Sequence, residues 1–315
     1  MLNRRHLRIK ILQALYSYMQ VKDNNIIKGE QELFTSIDKT FELYLSLLMM
    51  LTEILEIAQI KIEDGKRKKL PTKEDLKPNT KLLNNHILLL LNKNIALKKN
   101  CEKLKFSWFE ERNMFKKLFK QIREQEEYIA YMSEESQTFE ADKEFIIKIF
   151  KKTIVNFEPL HIYLEEKSIF WNDDLDLMSS MVIKTIKSFT STDDEFTPLL
   201  DLFKDPEDEL HFVKTLYRKA IVQSEEHMAM IKEKAQNWEL ERIALMDIIL
   251  MKMALTEAKE FSQIPTKVTL NEYIEISKFY STPKSNGFIN GILDKLFIEL
   301  KESGEILKTG RGLLD

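Results

Sequence analysis

The chain has 315 residues, of which 43% are hydrophobic and 31% charged, with seven glycines, seven prolines and a net charge of -3. So few turn formers beside so much apolar and charged residue describe a mostly helical globular protein, with enough chain for one large core or two small ones. The single cysteine, Cys101, excludes an intrachain disulfide, fits a reducing compartment, and reads as a small apolar filler rather than a nucleophile.

Chain order begins with a basic stretch, Arg4, Arg5, Arg8 and Lys10. It is either the solvated start of a helix or a path for a phosphate backbone, because nucleic-acid binding depends on clustered cations more than on net charge. The first twenty residues are too charged for a signal-peptide core. The apolar runs read as interrupted by Lys, Glu or Asn before they could span a bilayer, so a cytoplasmic location and no membrane partner are expected. Leu7, Ile11, Leu15 and Met19 form one helical stripe, and Phe41, Leu45, Leu48, Leu51 and Leu55 another. Lys66, Arg67, Lys68 and Lys69 precede Pro71 and Pro78 and read as a solvated linker.

Further helices are predicted from near Thr80 through Ile87 to Leu91, over about Phe106 to Met132, through the 140s to 160s, over Asp174 to Phe189 and over Glu207 to Ala235. No alternating run predicts a strand. The expected fold class is therefore all-α.

Punctuation in the last third predicts Asn237 as an N-cap for a helix starting at Trp238, and Thr269 with Glu272 as a capping box. It also predicts Thr282 and Pro283 as a helix start and Gly304 as a stop. Ile243 to Leu255 is apolar nearly all round, which predicts a central helix. Asp247 and Lys252 interrupt it, and each must find a partner or a surface, because an unpaired buried charge costs several kcal/mol. They are either a structural ion pair or a polar edge for a protein partner. Gly287 and Gly291 lie within the next helical pattern at about 1 kcal/mol each relative to alanine, which predicts a close approach to the backbone.

Catalytic patterns fail. His6, His86, His161, His211 and His227 lie in separate predicted helices without metal-ligand spacing, and no glycine loop cradles a phosphate. No enzyme activity, metal or cofactor is expected.

Four blocks in order resemble the NusB family of RNA-binding antitermination factors. Arg4, Arg5, His6, Leu7 and Arg8, followed by Gln13, Ala14, Leu15 and Tyr16, are similar to the family's arginine-rich opening and first helix. Asn237 to Asp247 is similar to its central helix. Ile264 to Val268, with Asn271, Glu272, Ile276 and Lys278, is similar to its Pro-containing turn and Asn-Glu helix. Phe288, Ile289, Asn290 and Gly291 stand where the family carries Phe-Val-Asn-Gly.

The resemblance implies a NusB-like helical bundle of two subdomains with an inserted helical region. Residues 1–20 would be the first helix of the N-terminal subdomain, 21–142 the insertion, 143–235 the rest of that subdomain and a linker, 236–303 the C-terminal subdomain, and 304–315 a flexible tail. Its implied partners are single-stranded boxA-like leader RNA of ribosomal transcripts, the small-subunit ribosomal protein NusE, and the RNA polymerase antitermination complex. Arg4, Arg5 and Arg8 would meet phosphates. Tyr16, Lys284, Ser285, Phe288 and Asn290 would complete the RNA edge, although Phe288 taken alone reads more readily as core than as an RNA contact. For Asp247 and Lys252 the resemblance favours the partner surface.

Two readings stand beside this one. A NusB-like module tied to RNA methylation would need a glycine-rich loop and a catalytic cysteine in a methyl-donor domain, and the chain shows neither. The other is a helical protein-interaction scaffold.

Overall fold

A computed structural model describes residues 2–21, 25–235 and 243–314. Among them are fifteen α-helices and no strand, as the apolar periodicity predicts. The Asn237 cap and the Trp238 helix start lie outside the described residues.

The chain folds as two compact units, one of residues 1–37 with 202–315 and the other of residues 38–201. The first helix, α1 (Arg4–Gln20), starts at Asn3, whose side chain accepts from the His6 amide at 3.0 Å while the Asn3 amide donates to His6 Nδ1 at 3.3 Å. This reciprocal cap fixes the basic start instead of leaving it frayed. Leu7, Ile11, Leu12 and Leu15 are its buried stripe.

The next helix, α2 (Ile26–Lys66), begins on Asn25, whose Oδ1 accepts from the amides of Ile27 and Lys28. Its residues up to Ile37 belong to the first unit and the rest to the second. Gly29 leaves room for a neighbour, since a Cβ there would lie 2.1 Å from the Tyr217 hydroxyl. By length and composition α2 could cross a membrane, contrary to the expectation that every apolar run is interrupted. Its most apolar window is 67% buried inside the protein, as suits a core helix.

The unit of residues 38–201 gathers around the remainder of α2. It contains α3 (Lys73–Leu76), α4 (His86–Lys93), α5 (Ile95–Leu104), α6 (Arg112–Arg123), α7 (Glu126–Ser133), α8 (Phe139–Ile149), α9 (Glu158–Lys167) and α10 (Leu175–Ser188). Two fully buried indoles tie onto α2, Trp108 Nε1 donating to the Ser46 carbonyl at 3.0 Å and Trp171 Nε1 to that of Lys39 at 2.7 Å. Buried tryptophan is stable only where its N–H finds such an acceptor. The predicted helix from Phe106 to Met132 is instead α6 and α7, broken at Glu124 and Gln125. The border expected at 142/143 falls inside this unit, within α8.

The first unit is completed by α11 (Pro206–Val222), α12 (Ser224–Lys234), α13 (Leu245–Glu260), α14 (Thr266–Tyr280) and α15 (Ser285–Glu302). As predicted, α13 is central: it packs against α1, α11, α12, α14 and α15, and is buried continuously from Ile249 to Ala258.

Three local expectations need correction. Thr269 does not cap a helix, because α14 already begins at Thr266 and the Thr269 hydroxyl donates to Glu257 at 2.9 Å. Thr282 and Pro283 form a turn ahead of α15, which starts at Ser285. The tail is not loose. Gly304 adopts the positive φ of a helix stop, Ile306 is buried, and Lys308 Nζ donates to the carbonyls of Ala258 and Phe261.

Lys66 to Leu70 is exposed, with Leu70 at the crest of the turn leaving α2. Limited trypsin digestion should cut the unit of residues 38–201 first at Lys66 to Lys69, leaving fragments that stay associated. A first cut within α4 or α8, or rapid loss of the whole unit, would refute this.

Candidate nucleic-acid interface

Arg4 and Arg5 occupy the first turn of α1, where no acidic residue stands. The helix dipole is positive there, so two arginines add to the field instead of relieving it. Arg4 pairs with Asp208 on α11 and lies 4.1 Å from the Phe212 ring centroid. Arg5 makes a bidentate bond to Glu272 on α14, Nε to Oε2 at 2.9 Å and Nη2 to Oε1 at 2.6 Å. These bonds hold the Glu272 carboxyl below its ordinary range, Arg5 contributing most.

Arg8 is placed differently and must be withdrawn from the phosphate-binding set. Its side chain is 3% exposed and forms a fork with Glu257 of α13, Nε and Nη2 each 2.7 Å from a carboxylate oxygen. Glu257 also accepts from the hydroxyls of Thr269 and Tyr273 and is fully buried. Arg8 is therefore the counter-ion of a core carboxylate, and although it borders the same groove as Arg4 and Arg5, its guanidinium is already taken up by Glu257. Tyr16 is 40% exposed on α1. Eight residues of helix turn about 80° beyond two full turns, enough to separate an exposed Tyr16 from a buried Arg8.

Arg4, Arg5, Glu272, Pro265, Arg311 and Leu314 help line one groove of about 770 Å3. The docked tail brings Arg311 there. The Thr309 amide donates to the Ser262 carbonyl at 3.0 Å, and Gly312 lies so close that a Cβ would sit 1.9 Å from that same oxygen. Arg311 is exposed and makes no ion pair among the described residues. In sequence it reads as part of a loose end; Asn3, Asp208 and Glu257 carried no signal that would have placed them beside the arginines.

The second group of expected residues lies at the other end of α13. Asp247, in its first turn, accepts from Ser285 Oγ at 2.7 Å and from Ser281 Oγ. The Ser285 hydroxyl is also hydrogen-bonded to those of Ser281 and Thr282. This cluster fastens the start of α15 to the start of α13, so Ser285, which is buried, is a structural residue and not an RNA contact. Asp247 and Lys252 are buried too, and Lys252 Nζ donates to Ser224 Oγ at 2.6 Å. They form neither an ion pair with each other nor an exposed edge for a partner.

Lys284 and Asn290 are exposed and Phe288 is half-buried. The glycines beside them show the reverse of the expectation: among the described residues nothing lies within 4 Å of a Cβ placed on Gly287 or Gly291. Lys284, Gly287, Phe288 and Gly291 follow helical spacing, so α15 presents a low, open strip flanked by a cation and a ring. Asp247 and Glu257 are ten residues apart on α13, so the arginine groove and this strip are anchored about 15 Å apart along it.

The NusB family model matches residues 178–297, from α10 into α15. Most of the 38–201 unit lies outside this match. The chain is 40% identical over 138 residues to the transcription antitermination protein NusB of Salinibacter ruber, covering 42% of this chain and 86% of that protein. It is 49% identical over 85 residues to the NusB of Chloroherpeton thalassium, covering 27% of this chain and 40% of the relative. Over 108 residues it is 32% identical to the NusB of Natranaerobius thermophilus, covering 33% and 78% respectively. No solved structure matches the chain significantly.

Proposed function

The chain belongs to the NusB family, whose role is transcription antitermination, and from that premise we propose that it binds boxA-like single-stranded leader RNA of ribosomal transcripts. It does so with NusE, within the RNA polymerase antitermination complex in the cytoplasm. The observation that carries this reading is the groove where Arg4, Arg5 and Arg311 converge on the capped start of α1. Helix N-termini attract anions through their dipole and free amides, and clustered arginines extend that field to a polyanion. A phosphate must compete with Asp208 and Glu272 for Arg4 and Arg5, whereas Arg311 has no such competitor among the described residues.

The strip on α15 supplies the second contact. Lys284 and Asn290 offer polar contacts and Phe288 a partly exposed ring, the combination by which unpaired bases are stacked and held. Tyr16 adds an exposed ring on α1.

Salt titration of binding to a short single-stranded boxA-like RNA, with and without NusE, tests the reading. Replacing Arg4 and Arg5 together with alanine should lower the slope of log affinity against log salt by about 1.4, from about 0.7 per single-strand contact. An unchanged slope removes the groove from the RNA site. Phe288→Ala should weaken binding by about 1 to 3 kcal/mol while leaving the melting temperature nearly in place; loss of stability without loss of affinity would assign the ring to the core.

A further inference from the structure

The unit of residues 38–201 has a cavity of its own. It lies where the end of α2 meets the segment 74–83, α6 and α7, and its volume is about 440 Å3. That is within the size range of small-molecule sites, which pair an apolar wall with a few convergent polar groups. Its wall combines Ile62, Leu83, Phe119, Tyr128 and Met132. The Tyr128 ring packs edge-on to that of Phe119, with centroids 6.4 Å apart.

The charges at the rim do not cancel. Lys61, Lys77 and Arg123 line the cavity, and among the described residues none of the three has an ion-pair partner. Two carboxylates share the lining, Glu74 and Asp75. Asp75 is already committed: Lys68 Nζ meets both its oxygens at 2.8 and 3.0 Å, and Thr72 donates to it through amide and hydroxyl. Lys61 lies near two further cations. Burial, then Arg123 and Lys68, push its ammonium below the ordinary lysine value. Burial raises the Tyr128 phenol above its ordinary value, and the nearby Arg123 cation opposes that rise. Uncompensated cations over an aromatic and aliphatic wall suit an anion that carries a flat apolar body.

We propose that this cavity binds a nucleoside 5′-phosphate, with Lys61 and Arg123 on the phosphate and the base against Tyr128, Leu83 and Met132. The site is separate from the arginine groove and goes beyond the antitermination reading. Its ligand is either a free nucleotide or one nucleotide of an RNA strand.

The test is calorimetric titration of the full chain with adenosine 5′-monophosphate. Wild-type protein should bind it, and adenosine, which lacks the phosphate, should bind at least about tenfold more weakly, the loss expected for a charge-assisted contact. A Lys61→Ala/Arg123→Ala double variant should lose affinity by a similar factor or more. This variant removes mutual repulsion at the surface, so it should fold. An Arg4→Ala/Arg5→Ala variant should bind the nucleotide as wild type does, even where its RNA binding is impaired. Absence of binding to wild type at millimolar nucleotide, or affinity unaltered in the Lys61/Arg123 variant, overturns the proposal. With the site established in the Arg4/Arg5 variant, displacement of the nucleotide by a single-stranded hexanucleotide identifies an RNA strand as the ligand. Failure of a hexanucleotide to displace it identifies the free nucleotide.

Discussion

Glu257→Ala should lower the unfolding free energy by about 3 to 5 kcal/mol, the cost of stranding a buried charge without its partner. Arg8 is 3% exposed and loses both of its short bonds in this variant, while the hydroxyls of Thr269 and Tyr273 lose their common acceptor. Glu272, 3.4 Å from Arg8 Nη1, cannot take over, because its carboxylate is held by Arg5. Arg8→Ala should cost a similar amount by leaving Glu257 as the orphan. Replacing both at once with apolar residues of similar volume should recover much of the loss, since a desolvated pair contributes little net stability when judged against good packing. Urea unfolding of the two single variants and the double variant supplies the check. Single-variant losses below about 1 kcal/mol would mean that the pair is solvated like a surface bridge.

Acid should destabilise the fold through His227. The ring is fully buried on α12, and neither nitrogen has a hydrogen-bond partner among the described residues. Burial pushes its pKa down to about 4, with Lys259 and Lys252 adding smaller shifts in the same direction and Glu226 and Glu260 opposing them. In the unfolded chain the ring titrates near 6.5. Between those values the unfolded chain binds a proton that the native protein refuses. Stability is therefore fully present above pH 6.5 and is lost as the pH falls toward 4, by about 3 kcal/mol at about 1.4 kcal/mol per pH unit.

Glu53 acts in the opposite sense. Burial, then Glu56, raises its carboxyl to about 7, so its contribution is present at low pH and is lost as the pH rises from 4.5 to 7. The comparison must therefore be wild type against His227→Phe, each unfolded in urea from pH 4 to 7. The difference between the two curves should slope with pH across that window. Parallel curves would show that His227 stays neutral in both states or is solvated when folded.

What the sequence determined by itself is what depends on neighbours along the chain. The stripe Leu7, Ile11, Leu15 is buried on α1, and the all-round apolar run before Leu255 is the central helix, because 3.6-residue periodicity reports directly which faces must leave water. The family could be read because its blocks are short runs of adjacent residues. Everything that sorted the expected site residues came from partners far off in sequence. Arg4, Arg5 and Arg8 look equivalent in a row of letters, but Arg8, one turn deeper along α1, meets the buried Glu257, 249 residues away, while Arg4 and Arg5 pair with the more exposed Asp208 and Glu272.

Ser285 and Asp247 likewise read as an RNA contact and a docking edge until the start of α15 is laid on the start of α13, where each satisfies the other. Arg311 looked like part of a loose end, because only the tertiary fold supplies the Ser262, Ala258 and Phe261 carbonyls that pin the tail. Local pattern set the elements and which of their faces are apolar. Desolvation decided the rest, since a charged group's role depends on what the rest of the chain places around it, and that is settled only when distant helices meet.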